Sequence, residues 1–264
     1  MNIFYRELRA NRRSLILWCL GMIFLILAGM AKFSAYKGAG QSVQQLMNSM
    51  PKSIQVLLGT YNFDVTTAKG FYGVLFLYII LLAAIHAAML GASIISKEER
   101  DRTFEFLYVR PVTRNKIITA KLVASAINVF ILWIVTYAVS LAYISKIAPN
   151  ENAGNYLSTL MFGMLCTQVL FLTVGMMLSA VCKKYKAAPG MSSFLVFLTF
   201  FMSYAADLNG KLDFLKYFTP FQYFNAVRLL NNGISLLFTA ITFILIIISV
   251  FITYIAQQKR DLKV

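Results

Sequence analysis

The residues that could do chemistry are few and scattered. His86 is the lone histidine. A Ser-His-Asp site, a zinc hydrolase or a redox centre needs histidine beside other catalytic groups, and no carboxylate shares the apolar stretch 71–95 around His86. His86 is therefore either an ionisable residue on a path through an apolar layer or a neutral imidazole bonded to a neighbouring helix. Asn128 and Gln168, the other strong polar groups inside apolar runs, pose the same choice. They act as interhelical hydrogen bonders, each worth about 0.6–2 kcal/mol, or they line a path. His86, Asn128 and Gln168 are the candidate path residues. Trp133 lies mid-run and reads as packing. Cys19, Cys166 and Cys182 are odd in number and far apart, so they read as small buried residues rather than a disulfide framework or a zinc site; the spacing offers no metal-ligand set. No Gly-x-x-x-x-Gly-Lys-Ser/Thr loop occurs, so the chain cannot hold ATP in the P-loop manner.

The composition explains this poverty. Of 264 residues, 59% are apolar and 13% charged, against about 45–50% and about 25% in soluble domains. That excludes an ordinary soluble enzyme, a disordered tail and a secreted disulfide scaffold. A net charge of +15 would indicate nucleic acid on a soluble chain; here it fits Lys and Arg flanking membrane spans, and no nucleic acid is expected. A span needs about 20 apolar residues. Six segments qualify, 14–31, 71–95, 122–144, 156–182, 187–206 and 234–256, and none contains Asp, Glu, Lys or Arg. The expected fold is an all-α polytopic membrane protein with six transmembrane helices, one transmembrane domain over 1–264. The run from Ser14 is too long for a cleavable signal peptide. With no Asp, Glu, Lys or Arg inside a span, a transporter coupled to protons or sodium is disfavoured. An intramembrane enzyme would need paired acids, or His with an acid, at bilayer depth.

Orientation follows from the cations. Segments 1–13, 96–121, 183–186 and 257–264 carry 17 Lys and Arg in 51 residues, and the remaining connections carry 8 in 77. Both termini and the 96–121 and 183–186 loops are expected in the cytoplasm. Arg6, Arg9, Arg12 and Arg13, with Phe4, Tyr5 and Leu8 among them, predict an N-terminal amphipathic helix in the inner interface or simple positive-inside anchoring. In the 32–70 loop, Val43, Leu46, Met47 and Met50, then Ile54, Leu57 and Leu58, predict two short amphipathic helices broken at Pro51. The 207–233 segment is too apolar for a solvated loop and too broken for a span. It predicts re-entrant half-helices, covered by protein, around Pro220. Four residues link spans four and five, which must form an antiparallel hairpin.

The 96–121 loop carries an apolar patch rimmed by charge. It reads as a docking site or as a charged connector that fixes topology. A helical piece around Thr103–Tyr108 would place Phe104, Leu107 and Tyr108 on one face. Pro111 ends it, and Thr113 can cap the next helix. This loop resembles the cytoplasmic signature of ABC-2 type transporter permeases: acidic residues, then Gly-Thr-x-Glu-x-Leu, then Pro-Val-Ser/Thr-Arg, then a Lys. The matches are Glu98, Glu99, Thr103, Glu105, Leu107, Pro111, Val112, Thr113, Arg114 and Lys121; Arg102 stands where Gly often precedes the Thr. Met50-Pro51 with Leu57-Leu58-Gly59, and Tyr217–Phe224, also look similar to the family.

The resemblance implies an exporter permease that works as a dimer with an identical or paralogous copy, in a prokaryotic-type plasma membrane. Two separate ATP-binding cassette subunits would hold ATP and Mg; this chain would bind no cofactor and is not expected to be an enzyme by itself. Glu98, Glu99, Thr103, Glu105, Phe106, Leu107, Pro111 and Arg114 would couple to the ATPase. Lys183, Lys184 and Lys186 match in location only, as a minor contact. The half-helices before the last span would gate the outer exit through Phe218, Pro220, Phe221 and Tyr223. Spans rich in apolar, aromatic and Met side chains suit an amphipathic or lipid-like cargo, foremost a peptide toxin or antimicrobial. The alternative is an ATP-independent pore or scaffold.

Overall fold

The computed structural model describes residues 3–100, 113–149, 152–182, 186–208 and 210–259. The described residues form α1 (Ile3–Ala39), α2 (Gln41–Ser49), α3 (Lys52–Leu58), α4 (Ala68–Arg100), α5 (Arg114–Ile147), α6 (Ala153–Val181), α7 (Ala187–Leu208), a 3₁₀ stretch (Gly210–Tyr217), α8 (Pro220–Tyr223), α9 (Ala226–Asn232) and α10 (Leu236–Lys259). Among them there is no strand. Six helices, α1, α4, α5, α6, α7 and α10, are long and apolar enough to cross a membrane, and they coincide with the six charge-free segments.

α4 and α6 form the centre. In their most apolar windows, 61% and 67% of residues are buried, against 17% in α1 and in α10 and 22% in α7. The two run in the same direction and pack along their length, with α1, α5, α7 and α10 around them. Small residues permit the close approach. A Cβ added at Gly91 would meet the Leu172 carbonyl oxygen at 2.1 Å, and one at Gly175 would meet that of Ala88 at 2.4 Å. The backbones therefore touch where glycine alone fits. Beside them Ala83, Ala84, Ala87 and Ala88 are buried.

Polar side chains in the apolar layer turn onto helix carbonyls or cross to a neighbour. Thr136, Ser140, Thr167 and Ser192 each bond the carbonyl four residues back, the usual solution for a hydroxyl in a helix. Between helices, the Tyr72 hydroxyl donates to Ser140 Oγ at 2.7 Å, and Trp133 Nε1 donates to the Met161 carbonyl at 2.8 Å. Trp133 therefore joins α5 to α6 by a directed bond as well as by packing.

The chain enters at one end of the bundle and leaves at the same end. α1 begins beside the last residues of α4, since the Lys97 ammonium lies 4.0 Å from Glu7 Oε2, and α5 begins beside the last residues of α10. This is the termini end; the other is the far end. The N-terminal basic stretch is helical as expected, but it is not a separate piece. α1 runs through it and the first span without interruption for 37 residues, about 55 Å at 1.5 Å per residue, well beyond the ~30 Å hydrocarbon thickness.

At the far end α2 and α3 are the two predicted short helices, divided at Pro51. Gly59 ends α3 in the left-handed conformation, φ 72°, and its N–H closes onto Val56 and Gln55. The Tyr204 hydroxyl of α7 holds the Leu57 carbonyl at 2.6 Å. Leu46, Ile54 and Leu57 stay exposed, so the apolar face of this pair is not covered by the chain itself. The 3₁₀ stretch, α8 and α9 replace the predicted half-helices with three shorter pieces. Pro220 starts α8, where its missing N–H costs little, and Asn225 caps α9 by accepting the Val227 N–H at 2.9 Å.

Candidate functional site

Two regions concentrate polar chemistry, one at each end. At the termini end the loop 101–112 lies outside the described residues, and with it Thr103, Glu105, Phe106, Leu107, Pro111 and the predicted helical piece; Lys183 and Lys184 lie outside them too. Glu98 and Glu99 fall in the last turn of α4. What is described is the stem on which the loop stands, fastened on both sides.

On the entry side, Glu7 of α1 is fully buried, with Arg6 Nη2 3.1 Å from Oε1 and Lys97 Nζ 4.0 Å from Oε2. A buried carboxylate is costly unless it is paired, so two cations gather on it, one from the base of α4. Glu7 was missed at the level of sequence. Its only signal is that it is the one acid among the four arginines of the first 13 residues. Also on this side, the buried Lys121 ammonium of α5 donates to the Ile94 carbonyl of α4, which bridges the two helices that the loop joins. Lys121 entered through the motif alone; its place between the helices is what gives it a role.

On the exit side, Arg114 Nη1 donates to the carbonyls of Gln257 at 3.2 Å and Gln258 at 3.0 Å. These belong to the last turn of α10, where carbonyls lack helical partners and carry the negative end of the dipole. Gln258 Nε2 reaches Asn115 Oδ1 at 2.9 Å, and the Thr119 and Tyr254 hydroxyls share a bond of 2.7 Å. Arg114 therefore faces α10 within the chain. Thr113 does occupy the N-cap position of α5, but its side chain makes no capping bond; its carbonyl receives the Lys116 and Ile117 N–H groups.

The three path candidates do not form one site. His86 is buried in α4, its ring 5.2 Å from that of Trp18 on α1, and Nδ1 has no hydrogen-bond partner among the described residues. Gln168 of α6 is completely buried, and neither amide atom has a hydrogen-bond partner among the described residues. Asn128 of α5 is buried and its Nδ2 donates to Ala124 of its own helix at 2.8 Å, so this bond is not the interhelical one expected of it. No hydrogen bond among the described residues joins any two of them.

At the far end, the expected gate residues divide. Pro220, Phe221 and Tyr223 are buried, and Phe218 is 67% exposed. Phe221 lies 5.5 Å from Phe171 of α6 and 5.3 Å from Phe200 of α7, ring to ring. Tyr223 stacks on Phe238 of α10 at 5.0 Å. Phe224 and Leu229 press on α6 where Gly163 leaves room; a Cβ there would meet Leu229 Cδ1 at 2.8 Å. Beside this aromatic seat is a cavity of about 320 Å³. Its walls come from α3, the 59–63 turn, the far ends of α4 and α7, the 3₁₀ stretch, α8 and α9. Asp207, Lys216 and Arg228 bring charge to it. None of the three was named from the sequence, where this segment stood out by its aromatics and Pro220 rather than by its charges.

Residues 1–262 match the family described as ABC-2 family transporter protein. No curated protein matches the chain in sequence. The match runs through all six membrane helices, the braced loop stem and the aromatic far end. The chain belongs to the ABC-2 transporter family and is its multi-pass membrane component.

Proposed function

We propose that the chain is the permease subunit of an ATP-driven exporter. ATP and Mg are held and ATP hydrolysed by two separate cassette subunits, and a second permease copy, identical or paralogous, completes the complex in a prokaryotic plasma membrane. The termini end faces the cytoplasm, in keeping with the Lys and Arg excess there. The cargo is amphipathic or lipid-like, a peptide toxin or antimicrobial foremost, and leaves through the far end.

The observation that carries this reading is the bracing of the loop stem. A connector that merely fixes topology needs no fastening. Here the last residues of α4 are tied to α1 through Glu7 and to α5 through Lys121, and the first residue of α5 is tied to α10 through Arg114. A push on residues 98–112 is thereby delivered to four spans at once. Glu98, Glu99, Thr103, Glu105, Phe106, Leu107 and Pro111 meet the ATPase, with Lys183 and Lys184 as the lesser contact, and Arg114 transmits. Phe221 and Tyr223, seated against α6, α7 and α10, form the exit gate with Pro220, and Phe218 stands at its rim.

The test is transport by the permease reconstituted with its ATPase, with Glu99→Ala and Glu105→Ala combined. ATP-driven transport should be abolished while the complex still assembles. Transport that survives the pair of changes would sink the coupling assignment and favour an ATP-independent pore.

A further inference from the structure

The far-end cavity joins two kinds of surface. Part of its lining is apolar: Phe76 and Ile80 of α4, Phe200 of α7, Phe221 and Phe224. Part is polar, with Tyr204, Asp207, Lys216, Gln222, Asn225 and Arg228. At about 320 Å³ it falls at the small end of ligand pockets, about 300–1,000 Å³. It would hold a polar head with the first carbons of a chain, not a whole lipid.

The charges are the informative part. Asp207 and Arg228 both line this cavity. Yet among the described residues no Lys or Arg nitrogen comes within 4.0 Å of the Asp207 carboxylate. The Arg228 guanidinium lies over the Phe238 ring at 4.7 Å. That stacking fixes its plane and leaves its N–H edge, which matches phosphate oxygens in pairs. Gln222, which lies beside Asp207, is held by the Ser203 carbonyl at 3.1 Å. An acid and a base that share a half-buried cavity without closing on each other leave a gap that a ligand with both charges fills best.

We infer that this cavity binds the head of a zwitterionic phospholipid from the far-end leaflet. Its phosphate lies against Arg228 and Lys216, its ammonium against Asp207, and its first chain carbons against Phe76, Phe200 and Phe221. The inference rests on the exporter reading and deepens it: the exit gate, through Phe221, would be one wall of a lipid-head site.

The test is equilibrium binding to the purified chain in a nonionic maltoside, read by native mass spectrometry. The probes are dihexanoyl phosphatidylethanolamine, dihexanoyl phosphatidylglycerol and the dipeptide Gly-Gly. Saturable binding of the ethanolamine lipid is expected. Asp207→Asn should weaken it about tenfold and leave the glycerol lipid unchanged, and Arg228→Gln should weaken both about tenfold, the loss of one charge-assisted contact. Lys216→Gln serves if Arg228→Gln lowers the unfolding temperature. Absence of saturation, or equal effects of Asp207→Asn on the two lipids, overturns the inference. Displacement by Gly-Gly of the same affinity overturns it in favour of a peptide terminus. Phe221→Ala, assayed separately for ATP-driven transport, keeps the two readings distinguishable: a transport defect without lipid binding leaves the gate standing and removes the lipid site.

Discussion

Gly91 and Gly175 set the distance between the two central helices, because a side chain at either would enter the other helix's backbone. Overpacking of this kind costs about 1–3 kcal/mol or more. Gly91→Leu should therefore lower the unfolding temperature of the detergent-purified chain, whereas Gly21→Leu, with nothing within 4 Å, should not. Thermal unfolding of both variants checks this, and equal losses would refute the close-contact account. Neither glycine stood out in the sequence, since both lie inside runs long enough to span, and pairing between spans leaves no trace in local periodicity. Glu7 shows the same limit. Its charge was plain, but its burial depends on Lys97, ninety residues away. His86 and Gln168 were conspicuous because any polar residue in a charge-free run is; that both are buried and stand apart nothing local could tell.

At the scale of elements, Arg114 belongs to the joint between α5 and α10. Its side chain satisfies two terminal carbonyls of α10, and a charged donor typically contributes about 1.5–3 kcal/mol, less at a half-exposed site such as this one. Arg114→Ala should speed amide hydrogen exchange over 254–259 and leave exchange in α6 unchanged; uniform exchange across both helices would remove the joint. The motif placed Arg114 correctly next to the loop, but a motif gives position and not direction, and the side chain points inward. The six spans were legible because charged residues are absent from them and crowd their ends. The continuity of α1 was not, since arginines at helical spacing suit an interfacial helix as well as an extension of the first span. The broken far-end segment was legible as neither a span nor a solvated loop; Pro220–Tyr223 is buried, whereas Phe214, Tyr217 and Phe218 of the same aromatic stretch stay exposed. The division of the segment into three pieces was not legible, because such turns are set by what they pack on.

For the whole molecule, the faces left uncovered are as informative as the core. α1, α7 and α10 leave most of their apolar windows unburied, with Phe24, Phe194, Phe201, Phe243 and Phe251 exposed. Such surface belongs in lipid or against another membrane chain. Orientation is checked with the three native cysteines replaced and single cysteines placed at Asn48 or Gln258. A membrane-impermeant maleimide should label the Asn48→Cys variant on intact cells and the Gln258→Cys variant only after permeabilisation. The reverse pattern would invert the molecule and with it the proposed direction of transport. The cation count gave this expectation from sequence alone, and it needs no knowledge of how the helices pack.

The meeting of the start of α1 and the last turn of α10 with the loop stem also matters for handling the protein. Residue 7 lies beside residue 97, and residues 257 and 258 touch residue 114, so a tag or fluorescent fusion attached close to either would crowd the surface proposed for the ATPase. A purification handle placed there would select for permease stripped of its partner. The exposed turn at Met50–Pro51 between α2 and α3, at the opposite end, is the place for an epitope meant to recover the complex intact.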